Sequence, residues 1–458
     1  MALAAGVRAG AVRVVTSWEP EERDAVLYAA SGLFAVVTAE TSTITLYRQW
    51  AELALGPYVF AALVSALLAR RARHRPRPGA DAGGWHWTTP RMLLFLLVLL
   101  GATLMPLSLE VLWRGDAPGT SHVQPEVSVV EASGARVAHG LDPYQNVDGS
   151  HRRITVPAGQ PAYDAYNPYL PLMSVFGLAR STRAPARLTD ARVAFSLITI
   201  LVVVAALALC RGPTGPRLLA LQSMTVLPTA ALPLATGGDD LPVAALLLLG
   251  LVLLQRRRPV LGGLAFGVAA SMKITAWPLA VLAPLAARDA GGRHGRRPAL
   301  AVVAAMAAVF VPVVVPSALA NVPAFVDNVV RFPLGLAGIR SPAATPLFGH
   351  VVVSTFPGVH RLFPILVAGA GLLVLALVLL RRPPRTPAAL ARLLGWAFTV
   401  AILLAPATRI GYFLYPIDLF VWAWLLRSED GDALPAASGA TPGGAAEDGR
   451  EPALAGRR

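Results

Sequence analysis

The chain has little cysteine and little charge. Cys210 is its one cysteine, which excludes an internal disulfide framework and any metal site built from several cysteines. Charged residues make up 14% of the 458 residues, and hydrophobic residues make up 55%. Soluble domains have roughly a quarter of their residues charged. The balance therefore excludes an ordinary soluble globule and predicts that much apolar surface faces lipid.

Lysine is almost absent, since Lys273 is the only lysine among 40 basic side chains. The formal net charge is +14, but the arginines are not gathered on one tail or face, as in a nucleic-acid-binding domain. They form short runs between apolar segments, which is typical of the cytoplasmic loops of membrane proteins. The sequence also has no internal repeat, which disfavours a transporter built from duplicated halves.

Apolar stretches of about 17 to 25 residues are long enough to cross a bilayer as helices. With a cytoplasmic amino terminus, the basic runs between them all fall on the cytoplasmic side. Residues 260–287 are too few for two full crossings and predict a pair of short helices or a re-entrant hairpin. We therefore expect an all-α, polytopic transmembrane helical bundle. Its spans, about ten in number, lie near 26–47, 52–70, 92–113, 190–210, 217–236, 241–255, 299–319, 361–380, 388–406 and 411–427.

This topology divides the chain into three parts. Residues 1–25 form a cytoplasmic amino-terminal segment, 26–427 the transmembrane domain, and 428–458 a disordered cytoplasmic tail. Two long loops, about 114–190 and 321–361, are expected outside the membrane. The first of them should contain a short surface helix over 127–138.

Two cations are candidates for a functional role because a charge near the bilayer core costs several kcal/mol unless it is paired or faces a cavity. Lys273 either extends to the membrane interface or holds a lipid-linked phosphate. Arg409 falls on the predicted outer side, against the orientation rule. It either grips a phosphate with two hydrogen bonds or anchors in phospholipid headgroups.

Carboxylates form the second group of candidates. Asp239 and Asp240 follow two glycines in a tight turn, where they would bind a divalent cation, orient sugar hydroxyls or cap the next helix. Glu126 begins the predicted loop helix and is either a general base or a complement to the helix dipole. Glu131 lies one turn further along and is either a second candidate base or simply solvated.

Taken together, these blocks resemble glycosyltransferase family 87 of the GT-C superfamily, whose members include polyprenyl-phosphate-mannose-dependent mannosyltransferases. The resemblance covers about residues 91–427. It rests on the segments 126–131, 140–144, 263–278 and 408–416. The family typically has an acidic residue, then a helix, then Gly-x-x-Pro-Tyr. This chain has Glu126 where the family has aspartate.

The resemblance implies a GT-C-like bundle and a role for each candidate residue. Glu126 would be the catalytic base, with Glu131 as the fallback, and Lys273 and Arg409 would bind the donor phosphate. The residues implied in substrate binding are Asp239, Asp240, Tyr144, Asp142 and Tyr412. No metal ligand and no cofactor is implied with certainty, and a divalent cation is left open.

The implied activity moves a hexose, with mannose expected, from a polyprenyl-phosphate donor to a lipid or glycan acceptor of the cell envelope. The site would face the extracytoplasmic side of the cell membrane, with membrane lipids and no nucleic acid as further partners. A secondary transporter or lipid-linked-sugar flippase is the main alternative, since carriers also use intramembrane charges and broken helices. A non-catalytic scaffold is the third.

Overall fold

We describe a computed structural model of the chain. The structure describes residues 19–73, 89–116, 122–144, 162–287, 296–334, 337, 339, 343–359 and 362–431. Within those ranges the regular structure is helical, and the one β-type contact is an isolated bridge between Ala344 and Thr408. The all-α prediction is confirmed. Most of the predicted amino-terminal segment and nearly all of the predicted tail fall outside the described residues.

Seventeen α-helices are named here in chain order. They are α1 (Pro20–Thr41), α2 (Thr45–Arg73), α3 (Thr89–Val98), α4 (Met105–Asp116), α5 (Pro125–Ala138), α6 (Ala191–Ala208), α7 (Thr214–Thr225), α8 (Pro228–Thr236), α9 (Asp240–Gln255), α10 (Pro259–Ala270), α11 (Trp277–Ala286), α12 (Arg297–Ala320), α13 (Val322–Phe325), α14 (Phe348–Thr355), α15 (Leu362–Arg381), α16 (Pro387–Leu404) and α17 (Leu414–Gly431). A π-helical segment, Leu99–Leu104, joins α3 to α4. Shorter 3-10 segments include Ala162–Ala165, Pro171–Ser181, Ile274–Ala276 and Ile410–Phe413.

By length and composition, seven of the described helices can cross a membrane. Three shorter apolar helices accompany them. The chain is therefore a multi-pass membrane protein. The seven are Thr45–Arg73, Thr89–Gly115, Ala191–Ala208, Thr214–Thr236, Arg297–Ala320, Leu362–Arg381 and Pro387–Leu404.

The boundaries of the first two predicted spans were wrong. Residues 26–47 were expected to be one helix, but α1 ends at Thr41 and α2 begins at Thr45. The break follows from local hydrogen bonding, because the Ser42 hydroxyl accepts from the Ile44 backbone N–H and so competes with the helix. As a result α2 is 29 residues long and begins earlier than expected.

The predicted pair of short helices over residues 260–287 is present as α10 and α11. Gly263 and Gly267 let α10 approach α12 closely, since an added Cβ would lie 2.6 Å from the Val302 carbonyl oxygen and 2.8 Å from that of Met306. Helix α10 ends at Ala270, and Lys273 in the connection has extended backbone geometry. The connection therefore carries Lys273 at the tip of the hairpin.

The predicted loop helix is confirmed as α5 and packs closely on the 3-10 segment Pro171–Ser181. A Cβ added to Gly134 would lie 2.3 Å from the Gly177 carbonyl carbon, so backbone meets backbone there. Just before that segment, the Leu170 N–H donates to the Met272 carbonyl at 2.9 Å. The part of the first long loop that follows α5 thereby contacts both α5 and the connection between α10 and α11.

Candidate functional site

Lys273 lies between two carboxylates at the tip of the hairpin. Its Nζ is 3.0 Å from Asp239 Oδ1 and 2.8 Å from Asp240 Oδ1. The ammonium also lies 5.3 Å from the centre of the Tyr169 ring, within cation–π range. All of these side chains are largely shielded from solvent. Lys273 is therefore a buried cation that is paired with two carboxylates.

Asp239 and Asp240 reach Lys273 because the turn before them is tight. Gly237 has φ +116°, and a Cβ there would lie 2.2 Å from Val127 Cγ2 of α5. Asp239 stands at the amino-terminal cap position of α9 but makes no capping hydrogen bond. Its carboxylate turns to Lys273 instead. Burial raises the pKa of Asp239, against the opposing effect of Lys273.

Two further side chains hold Asp240 in place. The Tyr415 hydroxyl donates to Asp240 Oδ1 at 2.5 Å and lies 2.6 Å from the Thr275 hydroxyl. Tyr415 belongs to α17, and Thr275 follows Lys273 in the hairpin connection. The carboxylate that binds Lys273 is thus fixed by elements from two distant parts of the chain.

Arg409 and Glu126 form a second ion pair. Glu126 lies in the first turn of α5, and Arg409 precedes the 3-10 segment Ile410–Phe413. The residue before α5, Gln124, donates through its amide to the Thr236 hydroxyl at 2.7 Å and to the Tyr47 hydroxyl at 3.0 Å. These bonds fix the start of α5, and with it Glu126, beside the end of α8.

The two ion pairs share one electrostatic environment. Tyr412 interacts with both, since Lys273, Asp240, Arg409 and Glu126 all act on its hydroxyl. Asp239 likewise interacts with Glu126. The structure therefore brings together Glu126, Lys273, Arg409, Asp239, Asp240 and Tyr412, all of which the sequence had singled out.

Asp164 joins this cluster, although it was not among the expected site residues. It lies in the 3-10 turn Ala162–Ala165 and interacts electrostatically with Glu126 and Arg409. Burial raises its pKa to about 6, and the neighbouring charge of Glu126 adds to the shift. Asp164 stands in a run of tyrosines and prolines. That composition alone carried no signal for a carboxylate near Glu126.

Three carboxylate oxygens in the cluster have no hydrogen-bond partner among the described residues. Each of the three atoms is buried. They are Glu126 Oε2, Asp164 Oδ1 and Asp239 Oδ2. Buried polar atoms are rarely left without a partner, so acceptors of this kind suit the hydroxyl donors of a bound polyol.

Glu131 lies in a different ion-pair network. Both of its carboxylate oxygens accept from the Arg114 guanidinium, at 2.9 and 2.7 Å. Arg114 also donates to Asp190 at 2.8 Å, and Asp190 is paired with the fully buried Arg192. Although burial opposes ionisation of Asp190, its contacts with Arg192 and Arg114 lower its pKa to about 2. This network joins α4, α5 and α6.

Asp142 and Tyr144 serve as packing and hydrogen-bonding residues of the first loop. The Tyr144 hydroxyl donates to the Tyr169 carbonyl at 2.9 Å, and its ring packs edge-on against Phe325. Asp142 accepts from the Tyr144 backbone N–H at 3.2 Å. In the described part of the chain, neither residue contacts the two ion pairs. Both instead support Tyr169, whose ring faces Lys273.

A divalent cation was left open for Asp239 and Asp240. No group of three His, Cys, Asp or Glu side chains among the described residues is placed to hold a metal ion. The two carboxylates already enclose the Lys273 ammonium. A metal there would have to displace a paired cation.

Buried ion pairs, and carboxylate oxygens that have no partner among the described residues, place the chain in the class of helical membrane proteins with an internal polar cluster. Residues 168–406 match the model of glycosyltransferase family 87, and the chain belongs to that family. The expected resemblance is confirmed. Lys273, Asp239 and Asp240 lie inside the matched region, whereas Glu126 and Arg409 lie outside it.

No curated protein matches the chain. Among solved structures, the crystal structure of ArnT from Cupriavidus metallidurans bound to undecaprenyl phosphate is similar, with a TM-score of 0.45 and 16% sequence identity. The similarity covers 76% of this chain and 61% of that one. This chain thus matches less than two thirds of the length of that protein.

Proposed function

We propose that the chain transfers a hexose, with mannose as the expected sugar, from a polyprenyl-phosphate donor to a lipid or glycan acceptor on the extracytoplasmic side of the membrane. Membership of a glycosyltransferase family supports transfer chemistry. The donor is proposed because the cluster belongs to a multi-pass membrane protein. Its two cations, Lys273 and Arg409, match the charge of a phosphate.

The observation that carries the proposal is the meeting of two ion pairs from distant parts of the chain. In the proposed reaction, a general base and the phosphate-binding cations have to lie around one anomeric carbon. Glu126, Lys273 and Arg409 all act electrostatically on the Tyr412 hydroxyl, so the two ion pairs lie near each other. A scaffold protein would have no use for such internal charges, whose burial is costly.

The reaction we assign is a single displacement. The acceptor oxygen bonds to the anomeric carbon while the bond from that carbon to the phosphate oxygen breaks, and the electron pair stays on the phosphate. The acceptor proton passes to the Glu126 carboxylate. Lys273 and Arg409 stabilise the additional negative charge on the departing polyprenyl phosphate. Attack from the face opposite the phosphate inverts the configuration at the anomeric carbon.

Donor binding should also change the state of the base, because both cations are paired with carboxylates before the donor binds. Arg409 is held by Glu126, and Lys273 by Asp239 and Asp240. A phosphate that binds Arg409 competes with Glu126 for the guanidinium, which leaves the carboxylate available to accept a proton. Glu131 cannot respond in this way because it stays bound to Arg114. We therefore assign Glu131 a positioning role and Glu126 the role of base.

The test is a transfer assay with the purified chain, radiolabelled polyprenyl-phosphate-mannose and a membrane-lipid extract. We expect a labelled glycolipid whose new glycosidic bond has inverted configuration. The same donor, enclosed in proteoliposomes, tests the transporter alternative. Movement of intact donor across the membrane without any new glycosidic bond would contradict the proposal and favour a flippase.

A further inference from the structure

Asp164 differs from the other carboxylates of the site in its pairing. Glu126 is bound to Arg409, and Asp239 and Asp240 are bound to Lys273. For Asp164, Arg409 contributes only longer-range attraction, while burial and Glu126 both oppose its ionisation. Its Oδ1 is buried and has no hydrogen-bond partner among the described residues. Asp164 is therefore ready to accept a hydrogen bond from a ligand.

The turn that holds Asp164 is fixed by its surroundings. After the turn, the Tyr166 ring stacks on Phe332 with 4.3 Å between ring centres. The Asn167 N–H then donates to the Asn328 side chain at 2.8 Å. These contacts attach the chain just after the turn to the segment after α12, so Asp164 lies on a braced element. A braced acceptor is what the positioning of a substrate hydroxyl requires.

From these contacts we propose that Asp164 is a specificity-determining residue of the transfer, which selects acceptors that carry a second hydroxyl beside the reacting one. The inference rests on the proposed function. Asp164 and Glu126 each have one buried oxygen with no partner among the described residues. Glu126 takes the proton of the reacting hydroxyl, and Asp164 accepts a hydrogen bond from the hydroxyl beside it, which keeps its own proton. A lone alcohol fills only one of the two positions.

The proposed role of Asp164 predicts that acceptor binding depends on pH. Arg409, Glu126 and Tyr163 are the charged and titratable groups that act on it. Its pKa of about 6 means that it is ionised above that pH and protonated below it. The ionised form is the stronger hydrogen-bond acceptor, so binding of the diol improves as the pH rises through about 6.

The experiment measures transfer to two probes, octyl mannoside and octanol, by the wild-type chain and by Asp164→Asn. We expect the wild-type chain to prefer octyl mannoside. The variant should raise the KM for octyl mannoside about 10-fold or more, by analogy with lost hydrogen bonds to charged groups, and should lose most of the preference for octyl mannoside over octanol. Asp164→Glu should restore part of the preference. Asp327→Asn is the matched control, since Asp327 pairs with Arg331 at 3.0 Å.

Three results separate the inference from the function on which it rests. Equal use of octanol and octyl mannoside by the wild-type chain would overturn the diol inference, as would an Asp164→Asn variant with an unchanged KM. A loss of kcat in Asp164→Asn with KM unchanged would make Asp164 a part of the proton transfer, again against the inference. If the wild-type chain neither transfers the sugar nor hydrolyses the donor, the proposed function itself fails.

Discussion

Glu126 and Arg409 form an ion pair although 283 positions separate them in the chain. The pair joins the first turn of α5 to the segment that precedes α17. Neither residue lies in the region matched by the family model, yet together they border the Lys273 cluster that does. Parts of the chain on both sides of the matched region thereby contribute to the proposed site.

Replacement of Glu126 by Gln removes the proposed base while keeping the size of the side chain. We expect transfer to fall about 100- to 10,000-fold, the usual contribution of general base catalysis. Binding of the donor should remain, because Arg409 is then free to hold the phosphate. The measurement is the transfer rate beside direct binding of polyprenyl phosphate. Glu40→Gln, on an exposed position of α1, serves as the control and should have wild-type rates.

Replacement of Lys273 by Met should affect stability and activity separately. The change leaves Asp239 and Asp240 without their cation, and breaking such a buried pair costs about 3 to 5 kcal/mol. Thermal unfolding should therefore occur at a lower temperature. The triple variant with Asp239→Asn and Asp240→Asn should recover most of that stability, because no charge is then left unpaired. It should stay inactive, since the phosphate-binding cation is missing, and recovered transfer would argue against the role of Lys273.

Glu131→Gln provides the contrast to the Glu126 variant. Loss of the charge leaves Arg114 with a single buried partner in Asp190, which should lower the free energy of unfolding by about 3 kcal/mol. The kcat of the folded fraction should stay near the wild-type value. Unfolding temperature and kcat per folded molecule are the two measurements. A large loss of kcat at unchanged stability would return Glu131 to the list of candidate bases.

The ion-pair network of Glu131, Arg114 and Asp190 also predicts that the chain loses stability at acid pH. The pKa of Asp190 is about 2 in the folded chain, below the value of about 3.9 for an unperturbed aspartate. Its contribution is complete above pH 4 and is lost as the pH falls toward 2, by about 2 to 3 kcal/mol. Unfolding temperatures at pH 5, 4 and 3 should fall accordingly. In Asp190→Asn the decline over that range should be shallower, although the variant starts less stable.

Close packing between α5 and the 3-10 segment Pro171–Ser181 should affect both stability and activity. A Cβ added to Gly177 would lie 2.1 Å from the Val130 carbonyl oxygen, so the backbones must separate in Gly177→Ala. Overpacking of this kind costs about 1 to 3 kcal/mol. Because α5 carries Glu126, transfer should fall as well. Gly369→Ala on α15, where an added Cβ meets nothing within 4 Å, should leave both properties unchanged.

The sequence was sufficient to locate most helices and the two cations. Apolar runs set the helix positions within a few residues, because length and hydropathy decide which segments enter a membrane. The scarcity of lysine and the position of Arg409 against the orientation rule singled out the two cations. The sequence was not sufficient at the junction of α1 and α2, where the local hydrogen bonds of Ser42 outweigh an apolar pattern.

The partners of those cations could not be found in the same way. Tyr415 meets Asp240 across 175 positions and Thr275 across 140, and such contacts leave no trace in local periodicity. Glu126 and Glu131 also look alike in sequence, five positions apart in one loop helix. Only their surroundings separate them, because one faces Arg409 and the other is enclosed by Arg114.

A structure of the chain with bound polyprenyl phosphate would show whether Lys273 and Arg409 hold the donor. We expect the phosphate within about 3 Å of both Lys273 Nζ and the Arg409 guanidinium, with Glu126 released toward the space left for the acceptor. A phosphate bound away from both cations, with the Glu126–Arg409 pair intact, would contradict this expectation.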